Sequence, residues 1–175
     1  MTSGRIAILF LLAVTLAAGG GLYYLQVYHY YEEISAEDAN VQLLRAESGA
    51  LEPVMFENFK GIDADSSPIR YRACFDLTDP GALDGVYEVA PAAEPLVAPR
   101  WFDCFDAGEI GRALEEGRAV AYLGASNDPY GVDRIVAVYP DGRAFAWTQL
   151  NRCGEVVFDG DPVPDGCPPP PEAYR

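Results

Sequence analysis

Histidine is almost missing from this chain. Among 175 residues there is one, His29, and none follows it. Everything downstream therefore excludes a histidine-based triad, a Cys–His pair, and histidine-ligated zinc, copper or haem. Lysine is as scarce, with Lys60 the only one. A serine nucleophile at Ser66 or Ser67 would have neither an imidazole nor a lysine at helical spacing to activate it. Basic residues number 12 against 27 acidic ones, a formal net charge of −15. Such a chain repels phosphate backbones, which excludes nucleic acid, and it disfavours anionic lipid headgroups. It favours a basic partner instead. No C-x-x-C pair occurs, so a thioredoxin-type site and a zinc ribbon have no support. Asp159, Asp161 and Asp165 lack EF-hand spacing and stand among prolines, as solvated turn carboxylates do. No cofactor and no metal is expected.

What the chain does have is a long apolar start. No charge falls between Ile6 and Val27. As a helix rising about 1.5 Å per residue this run reaches about 33 Å, enough to cross a hydrocarbon core of roughly 30 Å. Tyr23, Tyr24, Tyr28, Tyr30 and Tyr31 close it as an interfacial aromatic cluster. Arg5 precedes the run and Glu32–Glu33 follow it, which puts the N-terminus in the cytoplasm by the positive-inside rule. The expected organisation is a cytoplasmic stub over 1–5, a transmembrane anchor with interfacial tyrosines over 6–31, and a linker or helix extension over 32–40. A periplasmic domain over 41–158 and a proline-rich tail over 159–175 follow. A cleaved signal peptide competes, since Ile6–Gly19 and the small pair Ala17–Ala18 suit one. Against it, no clean A-x-A site is present, and the apolar pattern runs on through Leu22, Leu25 and Val27. Either reading exports the remainder, which holds 11 basic and 27 acidic residues, a net charge of −16.

Two patterns inside the anchor are candidate contacts with another membrane helix. Ala13, Ala17 and Gly21 fall at i, i+4, i+8, a small-residue seam that permits close approach. Tyr24, Tyr28 and Tyr31 fall at i, i+4, i+7 on one helical face. The plainer explanations are ordinary membrane-helix composition and an aromatic belt.

Cys74, Cys104, Cys153 and Cys167 make an even set in an exported domain, as two disulfides require. Three connectivities exist; Cys74–Cys104 with Cys153–Cys167 is expected because each pair closes a modest loop.

Along the exported part, 41–45 and 51–56 flank a turn at 47–49 as a hairpin, with Pro53 marking an edge. Residues 57–68 read as a polar loop. Ile69–Phe75 alternates as a strand that puts Arg70, Arg72 and Cys74 on one face, and the arginines are expected to pair with carboxylates. A turn region over 78–85 leads into 86–101, where prolines leave room for at most short strands. Asp106 with Glu109 three residues on is a capping box in its aspartate form. It opens a short helix with Ile110, Ala113 and Leu114 inward and Gly117 beyond its end. Residues 119–124 read as a buried strand. Strands over 134–139 and 143–150 are joined at Asp141–Gly142, a strong hairpin signal. One more short strand is expected near 156–158, then an extended tail pinned by Cys167. The fold class is α+β: a transmembrane helix, then a mostly antiparallel sheet domain with one or two short helices and two disulfides.

Four motifs, Tyr23–Tyr28, Ser66–Phe75, Trp101–Asp106 and the stretch from Cys153 to Pro168, together resemble a family of uncharacterised, single-pass, membrane-anchored proteins of alphaproteobacteria. The resemblance implies a bacterial inner-membrane protein with a periplasmic domain, and it implies no activity and no site residue. The expected function is that of an accessory or interaction protein associating with an inner-membrane complex or a basic periplasmic partner. The alternative is a carboxylate-dependent hydrolase of envelope polysaccharide, using Asp63, Asp65, Asp103 and Asp106 around Cys104. A sensory role is weaker, because only a short stub would face the cytoplasm.

Overall fold

A computed structural model describes residues 3–90 and 92–172 and divides the chain into two units, one ending at Glu32 and the other beginning at Glu33.

The first unit is helix α1, Ser3–Tyr24, which continues without a break into a π-helical turn over Leu25–His29. None of its residues is buried within the chain, and by length and composition the combined helix can cross a membrane. The π turn changes the tyrosine face. Wider winding brings Tyr23 against Tyr28, with ring centroids 6.4 Å apart, while Tyr24 stacks on Tyr28 at 5.9 Å. The helix ends at His29, so Tyr31 stands beyond it and not on the expected helical face. The segment after it extends no helix: Glu32–Ile34 forms strand β1.

The second unit is built on a six-stranded sheet. Its members are β1, β4 (Phe56–Asp63), β5 (Arg72–Leu77), β6 (Val120–Ala125), β7 (Val132–Val138) and β8 (Arg143–Leu150). Their order across the sheet is β1-β4-β5-β8-β7-β6. The pairs from β4 to β6 are antiparallel. A separate hairpin joins β2 (Gln42–Leu44) to β3 (Leu51–Pro53) with Leu43 opposite Glu52, as the turn signal between them implies.

Two expected elements differ. The polar loop over 57–68 is mostly strand β4. Its alternation is masked by a bulge: Glu57 and Lys60, three apart, oppose Asp76 and Cys74, two apart, and Asn58 between them has φ +54°. The extra residue lets Phe56 and Phe59 both stack around Phe75. The expected strand near 156–158 is helix α3, Arg152–Phe158. Asn151 caps it, accepting bonds from the backbone N–H groups of Cys153 and Gly154 at 3.0 Å each.

The sheet separates two apolar layers. Small residues on β8, Ala144 and Ala146, leave room for the β2–β3 hairpin, and Leu43 packs into the core with Phe75, Tyr122 and Val136. Residues 86–90 tie that hairpin to the β6 edge: Glu88 donates to the Leu44 carbonyl, and Leu123 donates to the Glu88 carbonyl. The bulky residues of β8, Phe145 and Trp147, face the other way and meet Phe105 edge-on. Helix α2 (Ala107–Glu115) closes this side with Ile110 and Ala113 buried. Asp106 caps it by accepting from Glu109 N–H at 3.0 Å, and Gly117 follows with φ +69°. The disulfides are Cys74–Cys104 and Cys153–Cys167.

Candidate functional site

The face carrying Phe145 and Trp147 is crossed by a strap, residues 92–106, that joins the hairpin layer to α2. Three side chains from the sheet fasten it. Arg72 lies opposite Trp147 on the neighbouring strand and is only 4% exposed. Its Nε donates to the Leu96 carbonyl at 2.8 Å and its Nη2 to the Val97 carbonyl at 3.4 Å. Its Nη1 donates to Tyr71 and Ile69 carbonyls at 2.6 and 3.0 Å. Where a carboxylate pairing was expected of this arginine, the structure shows a fork of carbonyl bonds, which a planar guanidinium satisfies well. Gln149 is the second fastening. Its Nε2 donates to the Ala92 carbonyl, and its Oε1 accepts from Glu94 N–H and the Trp147 indole. Cys104, joined to Cys74, is the third.

Held in this way, the strap borders three cavities. One, of about 290 Å³, lies over the Cys74–Cys104 bridge between Lys60, Asp76 and Arg143. A second, of about 380 Å³, is walled by Phe59, Trp101 and Phe102, with Glu33, Lys60 and Asp103 at its rim. A third, of about 390 Å³, shares Phe102 and Asp103 with the second and reaches the start of α2, with Val97, Arg100 and Asp106 in its lining. Asp103 lines both larger cavities, and Lys60 both the first and the second.

The opposite face holds a polar row. Asp63 of β4, Tyr71 just before β5, Thr148 of β8 and Arg134 of β7 lie along one line when the registers of the adjoining pairs are continued by one residue. The Arg134 guanidinium sits 4.4 Å above the Tyr71 ring. The Tyr71 hydroxyl, Thr148 hydroxyl and Arg134 Nε are buried and make no hydrogen bond among the described residues. Burial pushes the Tyr71 phenol up to about 12 and raises the Asp63 carboxyl above its usual range.

The carboxylates considered for hydrolysis divide here, with Asp103 and Asp106 lining one cavity and Asp63 apart from them. Asp63 faces the row with Tyr71, whereas Cys104 is bonded to Cys74 on the other face of β5. Asp106 is committed to capping α2. Among the described residues, no group of three or more His, Cys, Asp or Glu side chains is placed to hold a metal ion. The anchor positions Ala13, Ala17 and Gly21 lie on exposed helix, and a Cβ built on Gly21 meets nothing within 4 Å. The Cys74–Cys104 fastening was legible in the sequence, but the Arg72 fastening was hidden, since Arg72 reaches partners 24 and 25 residues away through their backbone. The advance signal for Arg72 was an arginine alternating with apolar residues in a strand.

The chain belongs to DUF6446, a family of unknown function, whose family model matches residues 41–168. No curated protein and no solved structure matches it.

Proposed function

We propose that this DUF6446 member is a membrane-anchored accessory protein. Helix α1 crosses a bacterial inner membrane with the N-terminus in the cytoplasm, and the disulfide-stapled domain stands in the periplasm. There it associates with an inner-membrane complex or with a basic periplasmic partner. The observation that carries this reading is one chain joining an apolar helix with no buried residue to a domain closed by two disulfides. The first demands a lipid or helical environment, and the second an oxidising compartment. Arg5 before the helix and Glu32–Glu33 after it support the orientation. The net charge of −16 beyond the anchor supports a partner of opposite sign.

The test is chemical cross-linking in native membranes, followed by mild-detergent solubilisation and size analysis. A discrete cross-linked assembly that co-purifies with the chain is expected. A chain recovered only as monomer, with no stoichiometric companion, would count decisively against the proposal.

A further inference from the structure

The strap displays apolar side chains that its own backbone is prevented from burying. Val97 is 81% exposed, among the most exposed large apolar side chains of the domain, although its carbonyl is held by the buried Arg72 guanidinium. Phe102 N–H closes a turn onto the Pro99 carbonyl at 2.9 Å, and Cys104 is bonded to the sheet two residues later. A segment fastened at both ends cannot collapse to hide Val97, and it loses little conformational freedom when something covers it. Anchored apolar and aromatic residues bordered by polar groups are the usual composition of a docking surface.

The two larger cavities flank Phe102 and Asp103, and each has room for a long side chain. Glu33, Asp103 and Asp106 face Lys60 and Arg100 there, a surplus of negative charge. Among the described residues neither Glu33 nor Asp103 has an ion-pair partner. Trp101 lines the same cavity as Glu33 and Asp103. A carboxylate beside an indole suits a guanidinium, which stacks on the ring and bonds the carboxylate in one plane.

We infer that the strap from Val97 to Asp103 is the docking surface of this domain, and that its occupant is a basic polypeptide segment of a partner protein, presenting arginine between apolar residues. This rests on the accessory-protein reading and names where and by what chemistry the partner is held.

The probe is an end-capped synthetic peptide of alternating arginine and leucine, titrated into the full chain in neutral detergent micelles with empty micelles as reference. Its control carries citrulline for every arginine, which keeps shape and removes charge. The chain has two tryptophans. Trp147 is wholly buried and its indole is bonded to Gln149, so the Trp101 indole resonance reports the surface and Trp147 is the internal reference. Saturable movement of Trp101 alone is expected with the arginine peptide. Asp103→Asn and Val97→Ser, both changes of exposed side chains, are each expected to weaken binding about tenfold. Tight binding that both variants leave unchanged would overturn the strap as the site while leaving the accessory reading intact. Equal binding of the citrulline peptide, or no binding of either, would overturn the arginine chemistry. The cross-linking test in native membranes judges the accessory reading separately.

Discussion

Arg72 carries a charge into a layer that holds aromatic rings, a disulfide and the apolar face of α2. What keeps it there is its fork of bonds to carbonyls of the strap and of the residues just before β5. Removing it leaves those carbonyls in an apolar setting without donors, at roughly 1–3 kcal/mol for an unsatisfied group. Arg72→Met is therefore expected to cost about 2–4 kcal/mol in urea unfolding. Arg72→Lys should recover little of that, because an ammonium on a single stem cannot reach all four acceptors. Full recovery by lysine would mean that charge, not the fork, is what matters. On the opposite face Asp63 has the reverse character. Burial raises its carboxyl above the usual 3.8, and the unfolded chain returns it to that value. Ionised Asp63 thus opposes folding: the penalty is complete above the folded pKa, shrinks as pH falls through it, and is gone below 3.8. Asp63→Asn should raise the urea midpoint at neutral pH and leave it unchanged below that value. Equal midpoints at neutral pH would show that the facing Arg134 already offsets the desolvation.

Elements were legible where one local signal settled them. Helix α2 begins at its Asp106 cap and ends before Gly117 as the capping pattern implies, because nothing distant competes for those residues. Strand β8 matches its alternation of small and bulky side chains residue for residue. Strand β4 was hidden because its bulge at Asn58 breaks the two-residue period, so a half-polar strand reads as a loop. Helix α3 was hidden because Val156, Val157 and Phe158 favour strands, and the competing cap at Asn151 weighs little in sequence. That helix is also held from outside. A Cβ on Gly154 would come within 2.8 Å of the Gly131 Cα, so the two backbones meet at van der Waals contact. The Cys153–Cys167 bridge, with a separation of 14, then fixes the tail to it. In the chain-entropy picture such a loop contributes about 3 kcal/mol, and the Cys74–Cys104 loop, with a separation of 30, contributes ~3.5–4 kcal/mol. Replacing both cysteines of a pair by serine should follow that order in urea unfolding of the full chain. Loss of Cys153–Cys167 should leave the Trp101 environment unchanged, since it lies outside the strap. Loss of Cys74–Cys104 should alter it. A Trp101 resonance that moves equally in both would show that the strap does not depend on its own disulfide.

At the scale of the whole molecule, the two units divide the work by solvent. The domain buries an apolar cluster on each face of its sheet, whereas α1 buries none of its own residues. A helix of that kind is covered by lipid or by another helix, and its small residues decide how close the second can come. In lipid, Ala17→Leu and Gly21→Leu add apolar surface and leave insertion as favourable as before. In a helix–helix contact the same changes push the backbones apart. The double variant should therefore stay in the membrane fraction through alkaline extraction while the cross-linked assembly falls by about tenfold, the loss expected when a close seam is filled. If the assembly survives unchanged, α1 is a tether and the partner is held by the domain alone. The strap variants Val97→Ser and Asp103→Asn then become the ones that abolish it. Raising salt separates the same two cases. A contact between helices in lipid is indifferent to ionic strength, whereas an acidic domain gripping a basic segment weakens steeply as the Debye length falls from about 10 Å at 0.1 M toward 3 Å at 1 M.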